Sequence, residues 1–160
     1  MGKKDDKTNV MRLLDSAGIN YSFRRYEPNA SLTGAEIAHL LGEEPERVFK
    51  TLVTVSKSKE HYVFMIPVEK ELDLKKAAKA AGEKSIEMIA QKELLPLTGY
   101  IHGGCSPIGM KKQFKAFIDE SAKQFDKIMF SAGKVGYQVE VLTADAEKII
   151  HFSFADLVKQ

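Results

Sequence analysis

The sequence predicts an α+β domain built on a mixed β-sheet flanked by helices. Three observations carry this. Helical and strand-like stretches interleave along the chain, without the strict strand–helix–strand rhythm of a doubly wound parallel sheet. At 160 residues, with 44% hydrophobic and 29% charged residues, the chain suits one domain with a real core. No repeat, low-complexity stretch or linker divides it, so residues 9–160 read as one domain behind a charged, mobile lead-in at residues 1–8.

Each element has a local reason. Residues 9–17 put Val10, Leu13, Leu14 and Ala17 on one helical face. Thr8 stands where an N-cap belongs and Gly18 where a helix ends. Tyr21, Phe23 and Arg25 then alternate with Ser22, Arg24 and Tyr26, a strand pattern. Thr33 and Glu36 form a capping box for a short helix through Leu41, closed by Gly42. Residues 48–55 and 61–66 read as a hairpin joined by the polar segment SKSKE. Asp73 caps the helix LKKAAKAA, which Gly82 ends; residues 89–95 predict another short helix, stopped by Pro96. After the glycine-rich stretch GYIHGGCSPIGMKKQ come three strands, at 114–118, 127–130 and 137–142. A helix at 145–150 and a last helix at 154–158 finish the chain.

Composition excludes several classes. The net charge of +2 permits a local basic patch but does not by itself predict nucleic-acid binding. A single cysteine rules out an internal disulfide and suits a reducing cytoplasm. No apolar run approaches membrane-spanning length, and the charged start lacks the apolar core of a secretion signal. There is no P-loop, no dinucleotide fingerprint and no GxSxG elbow. The four histidines have no metal-ligand spacing, so no metal is expected.

Candidate sites gather in two glycine loops and one strand. Cys105 needs a base to act as a nucleophile, and His102 is a close neighbour in the same loop; a small apolar filler is the better reading. Gly103 and Gly104 can let a ligand approach the backbone, as an anion nest or oxyanion hole, or simply make a tight turn. Lys50 lies in VFKTLVTV, with apolar neighbours on both faces of the strand. A lysine there faces a pocket or guards a strand edge, and the residues alone do not choose. Ser131, Gly133 and Gly136 form the second glycine loop, read first as a hairpin connection. Lys111, Lys112, Lys115 and Lys134 flank the two loops, as phosphate contacts or as a solvated face.

Taken together, VFKTLV, LDLKKAAKA, GYIHGGCSPIGMKK and FSAGKVGYQVEV, in this order and spacing, resemble the YbaK/EbsC family, relatives of the editing domain inserted in prolyl-tRNA synthetases. The resemblance runs from about Asn9 to the end of the chain, and it is closest to the branch of Cys-tRNA(Pro)/Cys-tRNA(Cys) deacylases. It implies a mixed sheet curled into a pseudo-barrel and a trans-editing hydrolase that frees tRNA(Pro) mischarged with cysteine. It implies no cofactor and no metal. The family's key lysine falls on Lys50, with Thr51 beside it; the first glycine of the pair falls on Gly103; Ser131, Gly133 and Tyr26 fall on substrate-binding positions. One position departs: where the pattern has aspartate, this chain has Gln138, which bears on amino-acid specificity.

The implied mechanism is substrate-assisted. The substrate cysteine's own thiol attacks its ester carbonyl and expels the ribose hydroxyl, so Cys105 need not be the nucleophile. The amides of Gly103 and Gly104 are expected to hold the oxyanion, and Lys50 the tRNA end. Lys111, Lys112 and Lys134 are expected on tRNA phosphates, with prolyl-tRNA synthetase as a partner that supplies tRNA specificity. Two rivals stand beside this: a deacylase for alanine or another small amino acid that uses water, and a non-catalytic module that binds tRNA or a synthetase.

Overall fold

Side-chain caps start the first three helices. In the computed structural model, which describes residues 7–27 and 32–160, residues 1–6 of the expected lead-in lie outside the described residues. Thr8 Oγ1 accepts from the Met11 N–H at 3.2 Å and begins α1 (Asn9–Ser16). The Thr33–Glu36 capping box forms as expected at the head of α2 (Gly34–Leu40). Asp73 Oδ1 accepts from the Lys75 and Lys76 amides and begins α3 (Leu74–Ala81), which left-handed Gly82 closes. Each such cap is worth about 1 kcal/mol.

The strands make two sheets. One is antiparallel, ordered β1 (Tyr21–Arg25), β7 (Tyr137–Leu142), β6 (Lys127–Ser131). The other is mixed, ordered β4 (Ile86–Met88), β2 (Phe49–Ser56), β3 (His61–Pro67), β5 (Lys115–Asp119), β8 (Phe152–Ala155). The β2–β3 hairpin is antiparallel, whereas β3–β5 and β5–β8 are parallel. The main core lies between the sheets. Phe49, Val53 and Met65 from one face Phe130, Val139 and Val141 from the other, closed by Leu14 of α1 and Ile150 of α5 (Thr143–Ile150). The opposite face of the mixed sheet packs Phe64, Ile66 and Phe117 against Ala77 and Ala78 of α3. A parallel bridge between Val48 and Met129 joins the two sheets at one corner. Among the described residues, no helix is long and apolar enough to cross a membrane.

Three expectations need correction. Residues 89–95 are not one helix: a 3₁₀ turn at Gln91–Glu93 leads into α4 (Leu94–Thr98). Pro96 therefore sits inside that helix's first turn, where a missing N–H costs nothing, and Gly99 ends the helix with φ 88°. Strand β4 was not expected, because three residues carry too little pattern to read. Residues 154–158 are not a helix. Phe152 and Phe154 alternate with Ser153 on edge strand β8, and left-handed His151 separates β8 from α5. The segment beyond β8 is held by non-local bonds: the Leu157 N–H donates to buried Asp119 at 3.0 Å, and the Asp73 N–H donates to Leu157 O.

A cluster of ions fixes the second junction between the sheets. Arg47, in the 3₁₀ turn Pro45–Arg47 before β2, donates to Glu140 Oε2 at 2.6 Å and also pairs with Glu43. Arg24 on β1 pairs with Glu43 at 3.3 Å and lies 3.7 Å from Glu140, which also accepts from Ser22. Burial alone would raise the Glu140 carboxyl, but the bond and charge of Arg47 outweigh it and hold the group below its ordinary 4.5.

Two predictions test this framework. Asp119→Ala strands the amides of Leu157 and Ser121 and is expected to cost about 1–3 kcal/mol in urea unfolding. For Glu140, the depressed folded value means that the unfolded chain binds the extra proton first. The stabilisation is therefore full above 4.5 and disappears as pH falls through the folded value. Glu140→Gln is expected to lose about 1–3 kcal/mol at neutral pH and to show a flatter acid limb in a stability-versus-pH series.

Candidate functional site

The site exists because β4 is short. It pairs with β2 at Thr54–Ser56, the Ile89 N–H adds one bond to Val53 O at 3.3 Å, and the next bridge is at Val48. Between them, residues 49–52 have β3 on one side and, among the described residues, no strand on the other. A cleft of about 210 Å³ wraps this open edge. Lys50 and Thr51 point to opposite faces of β2, yet both line the cleft because it curls round the edge. The other walls are the start of α2, Leu94 of α4, the loop at His102, Gly103 and Cys105, and the β6–β7 hairpin at Ser131 and Gln138. A broader hollow at Thr33, Pro67 and Glu69 shares Lys50 and opens the site outward.

Electrostatics single out Lys50. It makes no ion pair or hydrogen bond among the described residues. Burial pushes its ammonium below the ordinary lysine value, and the charge of Glu71 only partly opposes this. Both readings left open by the sequence meet here: the lysine is on a strand edge, and that edge is the wall of a cleft. Across from it, Gly103 has φ 89° and an N–H with no hydrogen-bond acceptor among the described residues. Ser131 Oγ accepts from the Gly133 N–H at 3.1 Å, which leaves its own hydrogen free to donate. Thr51 Oγ1 and Gln138 Oε1 are buried without partners among the described residues. Gln138 stands opposite both Ser131 and Arg24 in the sheet. Tyr26 continues β1 on the same face; it does not line the cleft, but its buried hydroxyl also has no partner among the described residues.

Two expected roles are revised. The Gly104 N–H already donates to Ile101 O at 3.0 Å, so it is engaged in the turn and not free for an oxyanion. Its missing side chain has a packing reason instead, since a Cβ would stand 3.1 Å from the Val135 nitrogen. Gly133 is likewise a packing glycine outside the cleft, with φ 92° and only 2.9 Å between a would-be Cβ and Val10 Cγ2. Cys105 fits the filler reading: burial pushes its thiol up to about 12, so it carries no thiolate near neutral pH. Lys111, Lys112 and Lys134 are exposed, and Lys112 borders a different hollow, near α1 and α5. Lys134 Nζ lies 5.4 Å from the Tyr137 ring centre. Sequence reasoning missed the Arg47–Glu140 pair and the walls from Thr33, Ile37 and Leu94. A lone glutamate in the otherwise buried strand YQVEV was the available signal for the first; the others had none.

Comparison with known proteins agrees with this architecture. Residues 27–149 match the family model described as aminoacyl-tRNA editing domain. The chain is 44% identical to a protein of Enterococcus faecalis named "Putative Cys-tRNA(Pro)/Cys-tRNA(Cys) deacylase EbsC", over 97% of this chain and 95% of that protein. It is 28% identical to a proline–tRNA ligase of Shouchella clausii over 71% of this chain and 20% of the ligase. A crystal structure of "a putative trans-editing enzyme for prolyl tRNA synthetase" superposes with a TM-score of 0.81 at 23% identity, covering 94% of this chain and 95% of that one. The matched segment contains the open edge of β2, both glycine loops and the cleft they enclose, and the chain belongs to the aminoacyl-tRNA editing domain family.

Proposed function

We propose that the chain is a trans-editing deacylase that cleaves the cysteinyl ester of mischarged tRNA(Pro), with the substrate's thiol as nucleophile. The observation that carries this reading is Lys50, a half-buried cation without a partner among the described residues, on the wall of a small cleft that the Gly103 amide, also without an acceptor among them, helps to line. An unpaired buried cation is unfavourable unless an anion or a strong acceptor arrives. The oxygens of a tRNA 3′ end are such acceptors. The name carried by the relative from Enterococcus faecalis supports the cysteinyl substrate, and the proline–tRNA ligase match supports a link to proline decoding.

In this reading Lys50 holds the terminal ribose or phosphate and fixes the ester. The thiol sulfur forms a bond to the carbonyl carbon, and the developing oxyanion is held by the Gly103 amide. The ribose–carbonyl bond then breaks, the thiol proton passes to the ribose oxygen, and a cyclic thiolactone leaves to be opened by water. No protein nucleophile is needed, which agrees with the protonated state of Cys105. Thr51, Ser131 and Gln138 contact the amino acid, with Tyr26 behind them. Exposed Lys111, Lys112 and Lys134 attract tRNA phosphates without reading sequence, and prolyl-tRNA synthetase supplies the choice of tRNA.

Purified protein mixed with cysteine-charged and alanine-charged tRNA(Pro), each alone, tests this. Loss of the cysteine ester alone is expected, with the rate reduced about 100-fold or more in Lys50→Ala. Loss of the alanine ester instead would move the function to alanine editing by water. No loss of either would leave a binding module. A second prediction separates a functional lysine from a structural one. With a folded value below the ordinary 10.5, Lys50 opposes folding at neutral pH, and the penalty fades as pH rises through the folded value towards 10.5. Lys50→Met is therefore expected to raise stability by about 0.5–1 kcal/mol while abolishing turnover. A loss of stability in thermal unfolding would contradict it.

A further inference from the structure

The cleft is cationic and has no acid of its own. Lys50 is the only Lys, Arg, Asp or Glu among the described residues that line it. The acid acting on Lys50 is Glu71, which lies outside the cleft. Gln138 lines this cleft, only 7% exposed, its Oε1 buried and without a hydrogen-bond partner among the described residues. The charges nearest to it on its own sheet do not compensate. Arg24, opposite on β1, is itself paired with Glu43, and Glu140, two residues along β7, is engaged by Arg47 and Ser22, so neither acid is free for a ligand. Tyr26 adds a buried hydroxyl on the same face. Across the cleft stand His102, Lys50 and the protonated thiol of Cys105.

An aminoacyl ester carries its nitrogen next to the carbonyl that must reach Gly103. As an ammonium, that nitrogen would bring a second positive charge beside Lys50 and find only neutral oxygens, such as Gln138 Oε1, and no carboxylate among the described lining residues to accept from it. As a free amine or an amide, it still has an N–H to donate and brings no charge. An α-amino group titrates at about 7.7–8.0, so the uncharged form is within reach near neutrality. We propose that Gln138 makes this cleft selective for aminoacyl esters whose α-nitrogen is uncharged, the free-amine form or an N-acylated one, with Gln138 Oε1 accepting the N–H. The inference rests on the reading of the cleft as an aminoacyl-ester site.

The test compares cysteinyl-tRNA with N-formylcysteinyl-tRNA, formyl being the smallest acyl group, in single-turnover cleavage at pH 6. The wild-type protein is expected to cleave the formylated ester at least as fast as the free one. Its rate on the free ester should rise with pH as the amine loses its proton. Gln138→Glu is expected to reverse the preference by about tenfold or more and to flatten that rise. A wild-type preference for the free ester at pH 6, or a ratio unchanged by Gln138→Glu, overturns the proposal. Equilibrium binding of the corresponding amide-linked cysteinyl-adenosines, which need no turnover, separates the two possible failures. If neither ester is cleaved but the formylated amide binds better, and Gln138→Glu reverses this, the deacylase reading falls and the selectivity stands. If neither amide binds and neither ester is cleaved, both fall.

Discussion

The contact between Arg47 and Glu140 is the constraint on which the site depends. It ties the turn that launches β2 to the middle of β7, and so sets the distance between two walls that belong to different sheets. Lys50 follows Arg47 by three residues, and Gln138 precedes Glu140 by two on the same strand face. Among the described strands, the sheets are otherwise bridged at this corner only by Val48 and Met129. A buried ion pair adds little net stability over an apolar pair, because desolvation offsets most of the attraction. What it does supply is a specific arrangement: a shifted register would take buried Glu140 away from Arg47, while the local Arg47–Glu43 pair would remain.

Placed by that junction, the cleft has an unusual set of unmet demands. Among the described residues, a cation lacks an ion-pair partner, a backbone amide lacks an acceptor, and two buried oxygens lack donors. In a well-packed interior nearly all such groups are paired. Their concentration along one open strand edge is the physical signature of a site that trades stability for binding. The same surroundings keep the one thiol protonated, so the protein holds polar contacts in place but offers no thiolate of its own. Such a site suits a substrate that brings the nucleophile with it, because intramolecular attack needs chiefly orientation and charge stabilisation.

Much of this was legible in the sequence where the cause is local. The caps at Thr8, Thr33 and Asp73, the β2–β3 and β6–β7 hairpins, and the oddity of a lysine in VFKTLVTV all follow from neighbours a few residues apart. The failures share a different cause. The tail at Phe152–Val158 has a length and composition that permit a helix, but β5 and Asp119, more than thirty residues away, decide otherwise. Gly104 was read as an oxyanion donor because a glycine pair suggests free amides; a turn bond to Ile101 engages one of them. Lys50, Gly103, Ser131 and Gln138 were named from motifs, but that they share one cleft follows from the shortness of β4, which no motif records.

The central claim is that the nucleophile comes from the substrate. The most direct measurement is single-turnover cleavage of tRNA(Pro) charged with cysteine and, separately, with serine, which replaces the sulfur with oxygen and leaves the rest of the ester alike. The account predicts rapid loss of the cysteine ester and a serine ester that decays at close to its rate without protein. Comparable cleavage of both would mean that water or a protein group attacks, and would contradict it.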